Sequence, residues 1–201
     1  MAYSLGYVWA DGWIQLHRGK YLTLGLKCSA KDRELIDSFK IRVGSHHKTR
    51  EIPACESQGR NHKPQVSLSI SGTEFCQPLV HQHGVIPGKC HFDPSCPEVP
   101  DEYLASFVRG YFDGDGSISI IRERYGMFRL YGTYQFTLDL KNRIESLLSL
   151  KKHDLYKTEE TTYRATWSDS SDLRSLYSWL YRGQGPFLSR KHSVLHKLLR
   201  D

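Results

Sequence analysis

Along residues 2 to 10, small side chains recur at every fourth position, Ala2, Gly6 and Ala10, while Leu5 and Val8 supply bulk. That spacing predicts a helix with one small-residue stripe. The stripe returns at Ser106, Gly110 and Gly114, among Leu104, Phe107, Val108 and Phe112. After each stripe the hydrophobic period shortens to two. Ile14 and Leu16 alternate with Gln15 and His17, then Leu22, Leu24 and Leu26 with Tyr21, Thr23 and Lys27, around a turn at Gly19. This predicts an antiparallel hairpin with one apolar face. Residues 32 to 39 have helical spacing, Val66, Leu68 and Ile70 mark a later strand, and a helix is expected from 73 to about 83. In the second half, Ile118 and Ile120 predict a strand. Its partner is expected over residues 128 to 138, where Gln135 and Thr137 alternate with Phe136 and Leu138. A helix over 142 to 150, a hairpin over 153 to 167 and a helix over 170 to 181 follow. The stretch 87 to 100, with prolines at 87, 94, 97 and 100, reads as a linker.

Each half therefore reads αββαββα. The fold class expected is α+β, built from two pseudo-symmetric halves, residues 1–97 with the linker and residues 98–201. A 39% hydrophobic and 12% aromatic content in 201 residues supports a packed core. The excess of 28 Lys+Arg over 22 Asp+Glu gives +6, with ten His in reserve, and favours a polyanionic partner such as nucleic acid. No run of 18 apolar residues and no signal core is present, so no membrane partner and a cytoplasmic location, or an organelle matrix for an organelle-encoded chain, are expected. Five cysteines without a dense framework fit reduced thiols. Cys90, His91 and Cys96, near His81 and His83, lack the paired spacing of a zinc site.

Each small-residue stripe ends in Asp-Gly, at Asp11 and Asp115, 104 residues apart. A lone Asp-Gly is ordinarily a turn or a helix stop. Two copies, with matching stripes before and alternating strands after, point to more. An acid in the last turn of a helix faces the unfavourable end of the macrodipole, and a bound cation removes that objection. A second repeat is basic: Lys89 follows Asp11 by 78 residues and Lys191 follows Asp115 by 76.

The strings Ser-Leu-Gly-Tyr-Val-Trp-Ala-Asp-Gly (4 to 12) and Val-Arg-Gly-Tyr-Phe-Asp-Gly-Asp-Gly (108 to 116) resemble the signature of the LAGLIDADG homing endonucleases. The first departs from it at Trp9, where the family often carries an acid. The resemblance spans nearly the whole chain. It implies two signature helices side by side at a pseudo-twofold interface, and a saddle of two antiparallel sheets gripping double-stranded DNA. It further implies that Asp11 and Asp115, with the Ala10 and Gly114 carbonyls, hold Mg2+ or Mn2+, and that Ca2+ binds without supporting cleavage. Lys89 and Lys191 are then catalytic residues near the scissile phosphate, able to stabilise charge. Both motif copies lie in one chain, so a monomer is expected. A double-strand break at a long site, made for a mobile intron or free-standing element, is the implied activity.

Sequence recognition is expected from the polar hairpin faces. In the first half these offer Gln15, His17, Tyr21, Thr23, Lys27, Lys48, Arg50, Ser67 and Ser69. In the second they offer Ser117, Ser119, Arg122, Arg124, Arg129, Tyr131, Thr133, Gln135, Thr137 and Arg164. Residues 46 to 50 read as a basic loop. Trp13, Trp167, Trp179 and Tyr181 are expected in packing rather than stacked on bases. Residues 190 to 200 read as a helix that packs Val194, Leu195, Leu198 and Leu199 and leaves its other face basic. The alternative function is a non-cleaving nucleic-acid binder on the same scaffold, an intron RNA maturase or a regulator.

Overall fold

In the first half Ala2–Asp11 forms α1 and runs directly into the hairpin β1 (Gly12–His17) and β2 (Lys20–Ser29). After α2 (Glu34–Arg42) come β3 (Thr49–Ile52), β4 (Cys55–Ser57), β5 (Arg60–His62), β6 (Gln65–Ser71) and α3 (Thr73–His81). The second half holds α4 (Asp101–Asp115), β7 (Gly116–Ile121), β8 (Tyr125–Gly132), α5 (Tyr134–Leu148), β9 (Tyr156–Lys157), β10 (Tyr163–Trp167), α6 (Ser170–Leu180) and α7 (Ser189–Leu198). This computed structural model describes every residue except Gln58, Gly59, Glu123, Arg124, Arg200 and Asp201, and describes Leu22, Ser57, Arg60 and Cys90 by backbone alone. No helix among the described residues is long and apolar enough to cross a membrane.

The two halves have the same topology. Their four-stranded sheets run β1-β2-β6-β3 and β7-β8-β10-β9, all neighbours antiparallel, and the first half adds a small β4-β5 hairpin that hydrophobic periodicity did not reveal. The chain forms two compact units, residues 11–88 and residues 2–10 together with 89–201. In the first, Ile14, Leu24, Leu26, Leu68 and Ile70 share the buried sheet face, and Leu35, Ile36, Phe39, Cys76 and Val80 bring the apolar stripes of α2 and α3 to the core. In the second, Phe112 stacks on Phe128 at 4.3 Å, and Phe128 meets Trp167 at 5.9 Å.

Within that second unit α1 lies against α4 at glycine. A Cβ on Gly6 would stand 2.0 Å from the Phe107 carbonyl oxygen, and one on Gly110 would stand 2.0 Å from the Tyr3 carbonyl oxygen. Tyr3 and Phe107 are themselves equivalent positions of the two motif copies. The contact is therefore reciprocal, as a local twofold requires. Such an approach offsets the roughly 1 kcal/mol that glycine costs in a helix interior.

Four sequence expectations change. Residues 128 to 138 are not one strand: β8 stops at Gly132, Thr133 is the N-cap of α5, and Gln135 and Thr137 lie on that helix. Phe136, Leu140 and Ile144 are buried at a spacing of four, which outweighs the short two-residue alternation, and Thr137 is buried with them at 2% exposure. A bulge between Gln15 and Leu16 ends the alternation of β1 and leaves Leu16 48% exposed. Arg50 lies in β3 rather than in a loop, and Trp13 is 42% exposed, its ring covering Gly25 opposite.

Gly6→Ala and Gly110→Ala are each expected to lower unfolding free energy by about 3 kcal/mol, because the new methyl meets backbone rather than a movable side chain. Gly183→Ala, which meets nothing within 4 Å, stays within about 0.5 kcal/mol of the parent. Urea unfolding of the three variants checks the contrast.

Candidate functional site

The last turn of α4 carries two acids and no base. Both acids sit where the helix carbonyls are unpaired and the macrodipole is negative, so each needs compensation from elsewhere in the fold. Asp113 is 2% exposed. Its Oδ2 accepts from the Tyr3 hydroxyl at 2.8 Å and from the Leu188 backbone N–H at 2.8 Å, while Oδ1 has no hydrogen-bond partner among the described residues. Burial raises its pKa to about 6, against the pull of those two donors, Lys191 and Arg109. Burial and the neighbouring carboxylate together push the Tyr3 phenol far upward, so it remains a donor. Buried Arg109 donates to the Leu180 carbonyl and lies over the rings of Tyr3 and Tyr181 at 6.0 and 5.8 Å. Sequence reasoning did not select Asp113, Arg109 or Tyr3. The available signal was the extra acid in Tyr-Phe-Asp-Gly-Asp-Gly, whose counterpart in the first copy is Trp9.

Lys191 comes from the first turn of α7 and is 4% exposed, on the buried rather than the basic face of that helix. Its ammonium donates to the carbonyls of Phe112 at 2.6 Å, Asp113 at 2.9 Å and Gly116 at 2.6 Å, with Gly114 at 3.4 Å, and lies 5.0 Å from the Phe112 ring centroid. The helix then stops at Gly116, which has an extended backbone with φ −95°. Glycine is required there by space, since a Cβ would come within 2.2 Å of the Phe112 ring.

Asp115 points into a cavity of about 220 Å³ lined by Trp9, Ala10, Lys89, Tyr111, Tyr131 and Phe136 among others. The residue keeps solvent access, yet crowding by these walls raises its pKa; Lys89 foremost and then Lys191 oppose the shift. Trp9 stacks on Phe136 at 5.0 Å and forms one wall. Lys89 lies on a single 3-10 turn (Lys89–His91) and is half-buried, in contrast to the enclosed Lys191. Three residues named from sequence, Ala10, Lys89 and Asp115, thus line one cavity, and Gly114 adjoins Asp115. Asp11 is the last residue of α1 and is half-buried.

On the first sheet Gln15 pairs with Thr23, and Ser67 lies between Lys27 and Arg50, with Ser69 opposite Gly25. All face away from the core side of their sheet. His17 pairs with Lys20 at the hairpin end, the Tyr21 ring meets His81 at 5.5 Å, and Lys48 immediately precedes β3. On the second sheet Ser117 pairs with Arg129, which also faces Thr166, and Tyr131 pairs with Arg164. Arg129 donates to the Ser119 hydroxyl at 3.0 Å, and Arg164 lies 5.4 Å from the Tyr156 ring centroid. Arg122 takes a left-handed turn conformation with φ 49°, and Arg124 lies outside the described residues. Gln135 donates to Asp139 at 2.7 Å, and Thr133, Gln135 and the buried Thr137 belong to the start of α5, not to the sheet face.

The raised pKa of Asp113 fixes a sign. Its stabilising contribution is complete below the unfolded value of 3.8 and is lost as pH rises through about 6. Relative to Asp113→Asn, the parent is expected to lose about 2 kcal/mol of stability between pH 4 and 7. Urea titrations at both pH values check this, and an unchanged gap contradicts it.

No protein-family model matches the sequence, and no curated protein sequence matches it. Solved structures do. The meganuclease I-SmaMI bound to uncleaveable DNA aligns over 100% of this chain and 88% of its own at TM-score 0.66 and 12% identity. The LAGLIDADG meganuclease I-AabMI bound to uncleaved DNA aligns over 96% and 87% at TM-score 0.56 and 14% identity. The LAGLIDADG homing endonuclease I-LtrWI bound to target DNA aligns over 96% and 85% at TM-score 0.59 and 14% identity. With helix, sheet order and glycine contact repeated in both halves, the chain has the LAGLIDADG homing-endonuclease fold.

Proposed function

We propose that the protein is a site-specific DNA endonuclease that makes a double-strand break at a long target by metal-dependent phosphodiester hydrolysis, serving a mobile intron or free-standing element. The observation that carries this reading is the convergence of Ala10, Lys89 and Asp115 on one open cavity. The donor set suits a hard cation. Asp115 offers carboxylate oxygen and Ala10 and Gly114 offer carbonyls, while no group of three His, Cys, Asp or Glu among the described residues forms an all-protein cage. Mg2+ or Mn2+ retains several waters and needs few protein ligands, so Asp11, Asp115 and the two carbonyls suffice beside DNA oxygens. When bound, the cation supplies a lowered pKa for the attacking water and charge stabilisation at the leaving oxygen.

The chain's own groups do the rest. Lys89, the cation with the strongest influence on Asp115, stabilises the negative charge that builds on the phosphate. Trp9, Tyr111 and Phe136 exclude bulk water from one side of the cavity, which strengthens that interaction. The polar sheet faces, with Lys27, Arg50, Arg129 and Arg164, bind phosphate and read base edges in the major groove. Arg129 and Arg164 are held by Ser119 and Tyr156, so little side-chain freedom is lost on binding.

Incubation of the chain with a randomised duplex library and Mg2+, followed by capture of newly formed ends, tests the reading. Cuts in both strands at a shared long motif are expected, absent with EDTA. Asp115→Asn and Lys89→Ala are each expected to slow cutting by about a hundredfold or more while binding the selected DNA as the parent does. Asp115→Asn cutting at the parental rate sinks the assignment. A parent that binds intron RNA and never cuts DNA with Mg2+ or Mn2+ places the function in a non-cleaving binder instead.

A further inference from the structure

The two lysines, nearly equivalent in sequence spacing, occupy different surroundings. Lys89 is half-buried and lines the Asp115 cavity. Lys191 is enclosed, and its three ammonium protons face four carbonyl oxygens, those of Phe112, Asp113, Gly114 and Gly116. These carbonyls bracket Asp115 on both sides. Phe112, Asp113 and Gly114 belong to the last turn of α4, where Phe112 also accepts the Gly116 N–H, Gly116 opens β7, and α4 has no basic residue of its own there. A second docking point lies just before Lys191 in the chain: Leu188, the N-cap of α7, donates its N–H to Asp113.

We infer that Lys191 is a positioning residue rather than a phosphate contact: with Leu188 it clamps the first turn of α7 onto the last turn of α4 and so fixes the backbone that presents Asp115. A lysine reaching substrate would have to surrender hydrogen bonds at 2.6 and 2.9 Å and strip the negative end of α4 of its charged donor, a loss that nothing in its enclosed setting repays. The clamp makes Lys89 the lysine that faces substrate in the Asp115 cavity. This inference rests on the nuclease reading only for the purpose of the clamp, not for its existence.

Amide hydrogen exchange on the metal-free, DNA-free chain tests it. Lys191→Met is expected to speed exchange of the amides at 113 to 116 at least tenfold relative to those of β8, because the last turn of α4 frays, and Lys191→Arg to speed it less. Lys89→Ala leaves exchange at 113 to 116 unchanged. In cleavage assays Lys191→Met raises the half-saturating Mg2+ concentration at least fivefold, with partial rescue in Lys191→Arg, whereas Lys89→Ala lowers turnover at unchanged Mg2+ dependence. Global unfolding of Lys191→Met beside a folded Lys191→Arg also supports the clamp, since a substrate-facing lysine is dispensable to the fold. Parental exchange in Lys191→Met overturns the inference, whether cleavage is lost or kept. A parent that cuts no DNA sinks the nuclease reading and leaves the exchange result standing.

Discussion

The contact of α1 with α4 at Gly6 and Gly110 is the constraint on which the rest depends. Each glycine admits the carbonyl of the other helix at a distance that no side chain tolerates, and the two contacts are equivalent under exchange of the motif copies. Helices held this closely have little freedom to slide or rotate, since a shift in either direction drives backbone into backbone. Their C-terminal ends are consequently fixed. Ala10, at the end of the α1 segment, and Asp115, at the end of α4, reach the same cavity because of that contact.

A fixed helix end still has to tolerate its own electrostatics. Two carboxylates at the negative end of α4 form an arrangement that an isolated helix resists. The fold answers from a distant segment. The loop after α6 and the start of α7 bring Leu188 to Asp113 and Lys191 to the terminal carbonyls, while Arg109 on α4 adds a second buried cation beside Asp113. Asp113 is thereby enclosed and structural, and Asp115 two residues on keeps its access to solvent. The same short string divides its acids between holding the helix end and facing the cavity.

The repeat of small-residue stripes, the Asp-Gly stops and the period-two runs made the paired αββαββα order legible, because each rests on local spacing. The start of α5 was not legible. Gln135, Phe136, Thr137 and Leu138 alternate over four residues, and only burial of Phe136, Leu140 and Ile144 along one helix face decides for helix. Asp115, Lys89 and Ala10, named from the motif and the lysine spacing, line one cavity. The enclosure of Lys191 was not legible, since spacing cannot say whether an ammonium meets solvent or four carbonyls. Trp9 looked like a defect in the first motif copy. Its stacking on Phe136 makes it a wall of the cavity, a role that depends on α5 and so cannot be read from the motif.

That the helix ends hold the cation is the central claim, and affinity cleavage by iron tests it most directly. Fe2+ replaces Mg2+ in the DNA-bound protein, and ascorbate with peroxide then generates hydroxyl radicals that cut the polypeptide beside the metal. Backbone cuts are expected to be confined to the neighbourhood of Ala10 and of residues 114 to 116, and to be suppressed by excess Mg2+. Cuts elsewhere in the chain, or cuts there that excess Mg2+ leaves unchanged, would contradict it.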